Sequence, residues 1–88
     1  MISKDYMITS PQGIHARPAT ALIRLTKNFK SVVSLKKNYE TVRLNSMLNI
    51  LSLAIKGGET ISIIIEGDDE ITAAEAIDLF FNQQLKEL

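Results

Sequence analysis

The sequence has no cysteine and only one histidine. The first absence removes disulfides, thiolate zinc sites and cysteine nucleophiles together, and the second would leave a zinc ion to carboxylate ligands, an unusual set. Neither a metal nor a cofactor is expected. There is no surplus of either charge, since ten Lys and Arg residues balance ten Asp and Glu residues. Domains that bind nucleic acid through counterion release carry a basic excess, so direct nucleic-acid binding is not expected. No apolar run approaches a membrane span, and no charged segment followed by an apolar one marks the start as a secretory signal. Membrane insertion is thereby disfavoured and the expected location is cytoplasmic. Repeats, linkers and low-complexity stretches are also missing. What remains is 88 residues, 45% of them hydrophobic, enough for a single domain over residues 1–88 that buries roughly 60–65% of its chain surface.

The elements follow in quick succession. Residues 2–9, with Tyr6 and Ile8 in alternation, read as a first strand closed by the loop Ser10-Pro11-Gln12-Gly13. From Ala16 to Asn28 the spacing of Ala19, Leu22, Ile23 and Thr26 predicts a helix, with Arg17, Arg24 and Lys27 on another face. Two β-prone runs, 31–35 and 41–44, flank Lys36-Lys37-Asn38-Tyr39-Glu40, a hairpin-length connection. Asn38 tolerates a positive φ there, whereas Tyr39 would bear a steric cost where glycine is expected. Ser46 before the apolar stretch 47–55 and Gly57-Gly58 after it are helix cap signals. The isoleucine-rich run 60–66 should be the best buried strand. Asp68 and Asp69 are placed to cap a last helix carrying Ala73, Ala76, Ile77, Phe80 and Phe81. The order βαββαβα predicts an α+β fold, an antiparallel sheet covered on one face by helices.

His15 lies in Gly13-Ile14-His15-Ala16-Arg17-Pro18-Ala19-Thr20, at the start of the first helix. The first N–H groups of a helix lack intrahelical partners and carry the positive end of the macrodipole, so they favour an anion. A neutral imidazole is nucleophilic near neutral pH, with an unperturbed pKa of about 6.5. Its attack on a phosphoryl donor forms a phosphoramidate weak enough to pass the group onward. Arg17 adds a full charge beside the phosphate. Two registers are open: Pro18 at the first helical position, or His15 as the N-cap with the N–H groups of Ala16 and Arg17 facing the phosphate. Taken alone, a histidine near a turn is most simply a surface residue; the octet makes it a candidate acceptor.

A docking face lies close by. The short helix from Met47 has more apolar residues than one buried face can hold, and Met47, Leu48 and Leu51 are the expected exposed ones. Arg17, Thr20, Arg24 and Lys27 fall at spacings of three and four and form a polar, basic stripe on the first helix. Such a face suits acidic, partly hydrophobic partners.

The octet closely resembles the phosphorylation-site signature of the HPr family, the histidine-containing phosphocarriers of the bacterial phosphoenolpyruvate:sugar phosphotransferase system. The resemblance covers the whole chain. It implies an open-faced βαββαβα sandwich with sheet order 1-4-2-3 and three helices on one face. It further implies that His15 accepts phosphate from enzyme I and passes it to enzyme IIA domains, with Arg17 contacting the phosphate. Residues 42–53 resemble the regulatory-serine region of HPr proteins from low-GC Gram-positive bacteria. That likeness implies phosphorylation of Ser46 by an ATP-dependent HPr kinase/phosphorylase and binding to a catabolite control repressor. Nearby the chain departs from the family pattern, with Asn45 for a frequent lysine and Asn49 and Ala54 for frequent glycines. A Crh-like regulatory protein, working through Ser46 and a repressor, is the alternative; Crh-type proteins lack the active histidine that this chain has at 15. A piece of a larger phosphotransferase, or of a nitrogen-related branch, is a third reading. Met1 close to the first strand and an end soon after the last helix favour a free-standing protein.

Overall fold

The computed structural model describes residues 1–87. Four strands, β1 (Ile2–Met7), β2 (Val32–Lys37), β3 (Glu40–Arg43) and β4 (Thr60–Glu66), form one sheet in the order β1-β4-β2-β3. Every neighbouring pair is antiparallel. Three helices, α1 (Ala16–Thr26), α2 (Met47–Ser52) and α3 (Glu70–Leu79), cover one face, completing the expected βαββαβα sandwich.

The alternation of β4 explains why the sheet is one-sided. Ile61, Ile63 and Ile65 are all but inaccessible, whereas Ser62 and Ile64 between them are half-exposed. Because β4 runs between β1 and β2, its register lays apolar rows across the core face: Ile65 lies between Ile2 and Val33, and Ile63 between Lys4 and Leu35. Helices α1 and α3 bring Ala19, Leu22, Ala73, Ala74 and Ile77 onto these rows. Lys4 is the one cation on this face of β1, and it is neutralised by Asp78 of α3 at 2.5 Å. Tyr6 donates its hydroxyl to the same carboxylate and stacks its ring on Phe81 at 4.4 Å.

Several boundaries differ from the sequence reading. The β2–β3 connection is a two-residue turn, because Lys37 already pairs with Glu40. Asn38 takes the left-handed conformation, with φ 56°, and Tyr39 does not, so the expected steric cost at Tyr39 is avoided. Helix α2 ends at Ser52, well short of 55, and Ala54 rather than a glycine adopts the left-handed position after it, with φ 49°. Asp69 does not cap α3 with its side chain. Its carboxylate accepts hydrogen bonds from the Lys30 and Ser31 N–H groups, at 2.7 and 2.9 Å, and from the Ser31 hydroxyl. These bonds hold its carboxyl below the usual aspartate range, the Ser31 hydroxyl contributing most. At the start of α3 it is Glu70 that accepts from the Gly67 N–H. After α3 the chain widens into a π-type turn, Phe80–Gln84, where the Leu85 N–H donates to the Phe80 carbonyl five residues back. That extra residue lets Ile77, Phe80, Phe81 and Leu85 all reach the core.

Candidate active site

His15 is the N-cap of α1, with extended backbone angles of φ −99° and ψ −162°. Its carbonyl accepts the Ala19 N–H at 3.1 Å, the first bond of the helix. Pro18 therefore stands at the third helical position, where its missing N–H leaves no donor unsatisfied. Of the two registers, the structure adopts the one in which the Ala16 and Arg17 N–H groups precede the hydrogen-bonded turn. The imidazole is half-buried, and its Nε2 is buried without a hydrogen-bond partner.

The loop before His15 is held by backbone contacts. The Gly13 N–H donates to the Ser10 carbonyl at 2.9 Å, and the Ile14 N–H to the Ile55 carbonyl at 3.1 Å. Gly13 has φ +69°, and a Cβ there would stand 2.0 Å from the Ile55 oxygen. Only glycine combines that backbone angle with so close an approach. The glycine of the octet thus serves the seating of His15 on the segment that follows α2.

Arg17 is exposed, as are Arg24 and Lys27 along the same helix. The ion pairs among the described residues join Met1 to Glu70, Lys4 to Asp78 and Lys37 to Glu59, so Arg17, Arg24 and the C-cap Lys27 have no carboxylate partner. Ala16, Arg17, Thr20, Ala21 and Arg24 line a shallow depression of ≈ 330 Å³. Thr20 bridges the two helices: its hydroxyl lies 2.8 Å from the Ala16 carbonyl and 3.0 Å from Met47 Sδ. On α2 Ile50 is buried, as is Leu53 just after it, while Met47, Leu48 and Leu51 are 37%, 77% and 37% exposed. The basic stripe and the apolar patch accordingly meet at Thr20 and Met47.

Ser46 is the N-cap of α2, and its Oγ accepts the Asn49 N–H at 3.3 Å. One contact escaped the sequence reading. Lys37, read as part of a hairpin turn, sends its ammonium to the Leu53 and Ala54 carbonyls at the far end of α2, at 2.9 and 3.0 Å. No local pattern announces a contact between positions 16 and 17 residues apart.

Residues 2–83 match the family described as PTS HPr component phosphorylation site. The chain belongs to the HPr family. It is 34% identical to the phosphocarrier protein HPr of Lysinibacillus sphaericus over 77 residues, 88% of each chain. It is 33% identical to the HPr-like protein Crh of Halalkalibacterium halodurans over 84 residues, 96% of this chain and all of that one. Among solved structures, HPr-C-His from Thermoanaerobacter tengcongensis superposes with a TM-score of 0.92 at 28% identity, covering 100% of this chain and 99% of the other. An HPr-family phosphocarrier is what the fold and these likenesses support together.

Proposed function

We propose that His15 is the phosphoryl acceptor of a carrier that takes its group from phospho-enzyme I and delivers it to enzyme IIA domains for sugar uptake, in the cytoplasm. One observation carries this reading: the half-buried imidazole stands at the N-cap position of α1 with Nε2 enclosed, and the two helix-start N–H groups of Ala16 and Arg17 follow it in the chain. The Nδ1 lone pair attacks phosphorus, an N–P bond forms, and the bond from phosphorus to the donor breaks. The donor leaves with that bond's electron pair. The Ala16 and Arg17 N–H groups and the Arg17 guanidinium stabilise the phosphoryl oxygens, charge meeting the positive end of the helix. Transfer onward is the reverse attack by an acceptor, so the chain itself completes no net reaction. Residues 1–88 act as one domain around one core.

In this reading, Thr20 and Arg24 of α1, Lys27 at its C-terminal end, and Met47, Leu48 and Leu51 of α2 form the surface that partners bind. Ser46 is a regulatory site. A phosphate on its hydroxyl would stand at the start of α2 and change the charge beside the docking patch. The likeness to a Crh protein favours one second reading, in which the chain acts chiefly through Ser46, the kinase and a catabolite control repressor.

Incubation with enzyme I and phosphoenolpyruvate, followed by intact mass at acid and alkaline pH, separates the two. The carrier reading expects an acid-labile phosphate that disappears in His15→Ala; absence of transfer with the cognate enzyme I would overturn it. With HPr kinase and ATP, an acid-stable phosphate on Ser46 is expected. An unmodified Ser46 with the kinase of the same organism removes the regulatory part.

A further inference from the structure

We propose that Lys37 is a positioning residue for His15: by capping the C-terminal end of α2 it sets the left-handed Ala54 turn whose next residue, Ile55, holds the His15 loop. Its role in transfer rests on the phosphocarrier reading above. The geometry is continuous from one end to the other. Lys37 Nζ, on a side chain only 16% exposed, donates to the Leu53 and Ala54 carbonyls and lies 3.1 Å from Glu59 Oε1. The same Glu59 oxygen accepts the Lys56 N–H at 2.6 Å. This backbone bond, with Lys37 second, holds the Glu59 carboxyl below its ordinary range. Between these two anchors stand Ala54 and Ile55, and the Ile55 carbonyl is the acceptor for the Ile14 N–H.

The chemistry of each member fits a clamp. The carbonyl of the C-cap Leu53 has no intrahelical donor and, with that of Ala54 just past the helix, stands at the negative end of the dipole, so an ammonium bonded to both is itself stabilised. Ala54 adopts a φ of 49° that an alanine, unlike glycine, reaches only against steric resistance. A strained turn of this kind persists when its surroundings determine it, and the Lys37 bonds flank the strained residue directly. The exposed patch of α2 and the loop of His15 are thereby held at one spacing. A partner touching both surfaces needs that spacing already formed.

The test compares Lys37→Met, Lys37→Arg, Ala54→Gly and the Lys37→Met/Ala54→Gly pair by amide hydrogen exchange and by transfer kinetics with enzyme I. Methionine keeps the stem and removes the donors. Exchange protection of the Ile14 N–H is expected to fall about tenfold in Lys37→Met relative to the Leu44 N–H, which bonds to Val33 away from the clamp. It should return in Lys37→Arg. It should also return in the double variant, where glycine takes the left-handed angle without help. KM for phospho-enzyme I should rise roughly three- to tenfold in Lys37→Met with kcat little changed, since the reacting groups are intact. Equal loss of protection at Ile14 and Leu44, unchanged protection at Ile14, or no recovery in the double variant would overturn the proposal, as would normal KM alongside lost protection. If Lys37→Met does not fold, Glu59→Gln is read at the same amides with the same outcomes. A wild-type chain that takes no phosphoryl group defeats the carrier reading instead, and the exchange data still decide whether the clamp exists.

Discussion

At the scale of single residues, the site depends on positions whose backbone angles no side chain explains. Gly13 is the sharpest case, because its φ and its closeness to Ile55 both demand the missing Cβ. Gly13→Ala should cost about 2–4 kcal/mol, more than an ordinary surface change, and should loosen the His15 loop. Urea denaturation, with exchange at the Ile14 amide, checks both parts. Ala54 is the opposite case, a residue in the same angular region where glycine is free of strain. Ala54→Gly should stabilise the protein by about 0.4–1 kcal/mol, a figure readable from the denaturation midpoint, with the greater freedom of glycine in the unfolded chain working against it. Local chemistry made the octet legible around His15, since a proline, a glycine and an arginine each act on their near neighbours. It could not show why Gly13 is a glycine, because the obstructing oxygen belongs to residue 55.

Helix ends dominate the scale of elements. The Ser46 cap was readable from serine ahead of an apolar run, and the bond to the Asn49 N–H is the one such a cap makes. At 3.3 Å and near the surface it is a modest cap. Ser46→Ala should therefore destabilise by about 0.5–1 kcal/mol, whereas Ser46→Asp, which keeps an acceptor, should cost less. Thermal unfolding of the two variants decides this. Asp69 was misread for a reason that also belongs to elements. An aspartate ahead of a helix has a local use, but the N–H groups of Lys30 and Ser31 and the Ser31 hydroxyl, brought beside it by the entry into β2, offer three donors. Phe80 and Phe81, expected on the last helix itself, fall in the π-type turn at 80–84, which packs large side chains into one core and does not follow helical periodicity.

For the molecule as a whole, the one-sided sheet and the spread of carboxylates set the response to mutation and to pH. Ile63→Ala should cost about 2–5 kcal/mol, a large share of a small domain's stability, while Ile64→Thr on the open face of the same strand should cost less than about 1 kcal/mol. Denaturant midpoints of the pair test the assignment of faces. Glu59, Asp69, Glu70 and Asp78 are all held below their ordinary ranges: Glu59 by the Lys56 N–H, Asp69 by Ser31, Glu70 by the terminal amine and Asp78 by Lys4. In each the folded state favours the ionised form, so the stabilisation is complete above the unfolded values of about 3.9–4.3 and is lost as pH falls through the lower folded values. Tyr6 is the reverse, its hydroxyl pushed well above 10 by burial and then by Asp78. Its stabilisation is present below about pH 10 and is lost as pH rises further. The Tm should fall as pH drops below roughly 5 and again as it rises above roughly 10; in Asp69→Asn the acid fall should be shallower, from a lower starting Tm.

Element order, the alternation of the first strand, the apolar stripes of the first and last helices and the residue types gathered around His15 were legible in the sequence alone. Those features arise from interactions over a few residues: the two-residue period of a strand, the near-four period of a helix, and the preferences of helix starts. Tertiary structure alone decided that the His15 loop rests on the turn after α2, that Asp69 serves the entry to β2, and that Lys37 reaches across to cap α2. Each is a contact between groups far apart in the chain, made because folding brings unsatisfied donors and acceptors together in a place where water no longer serves them all.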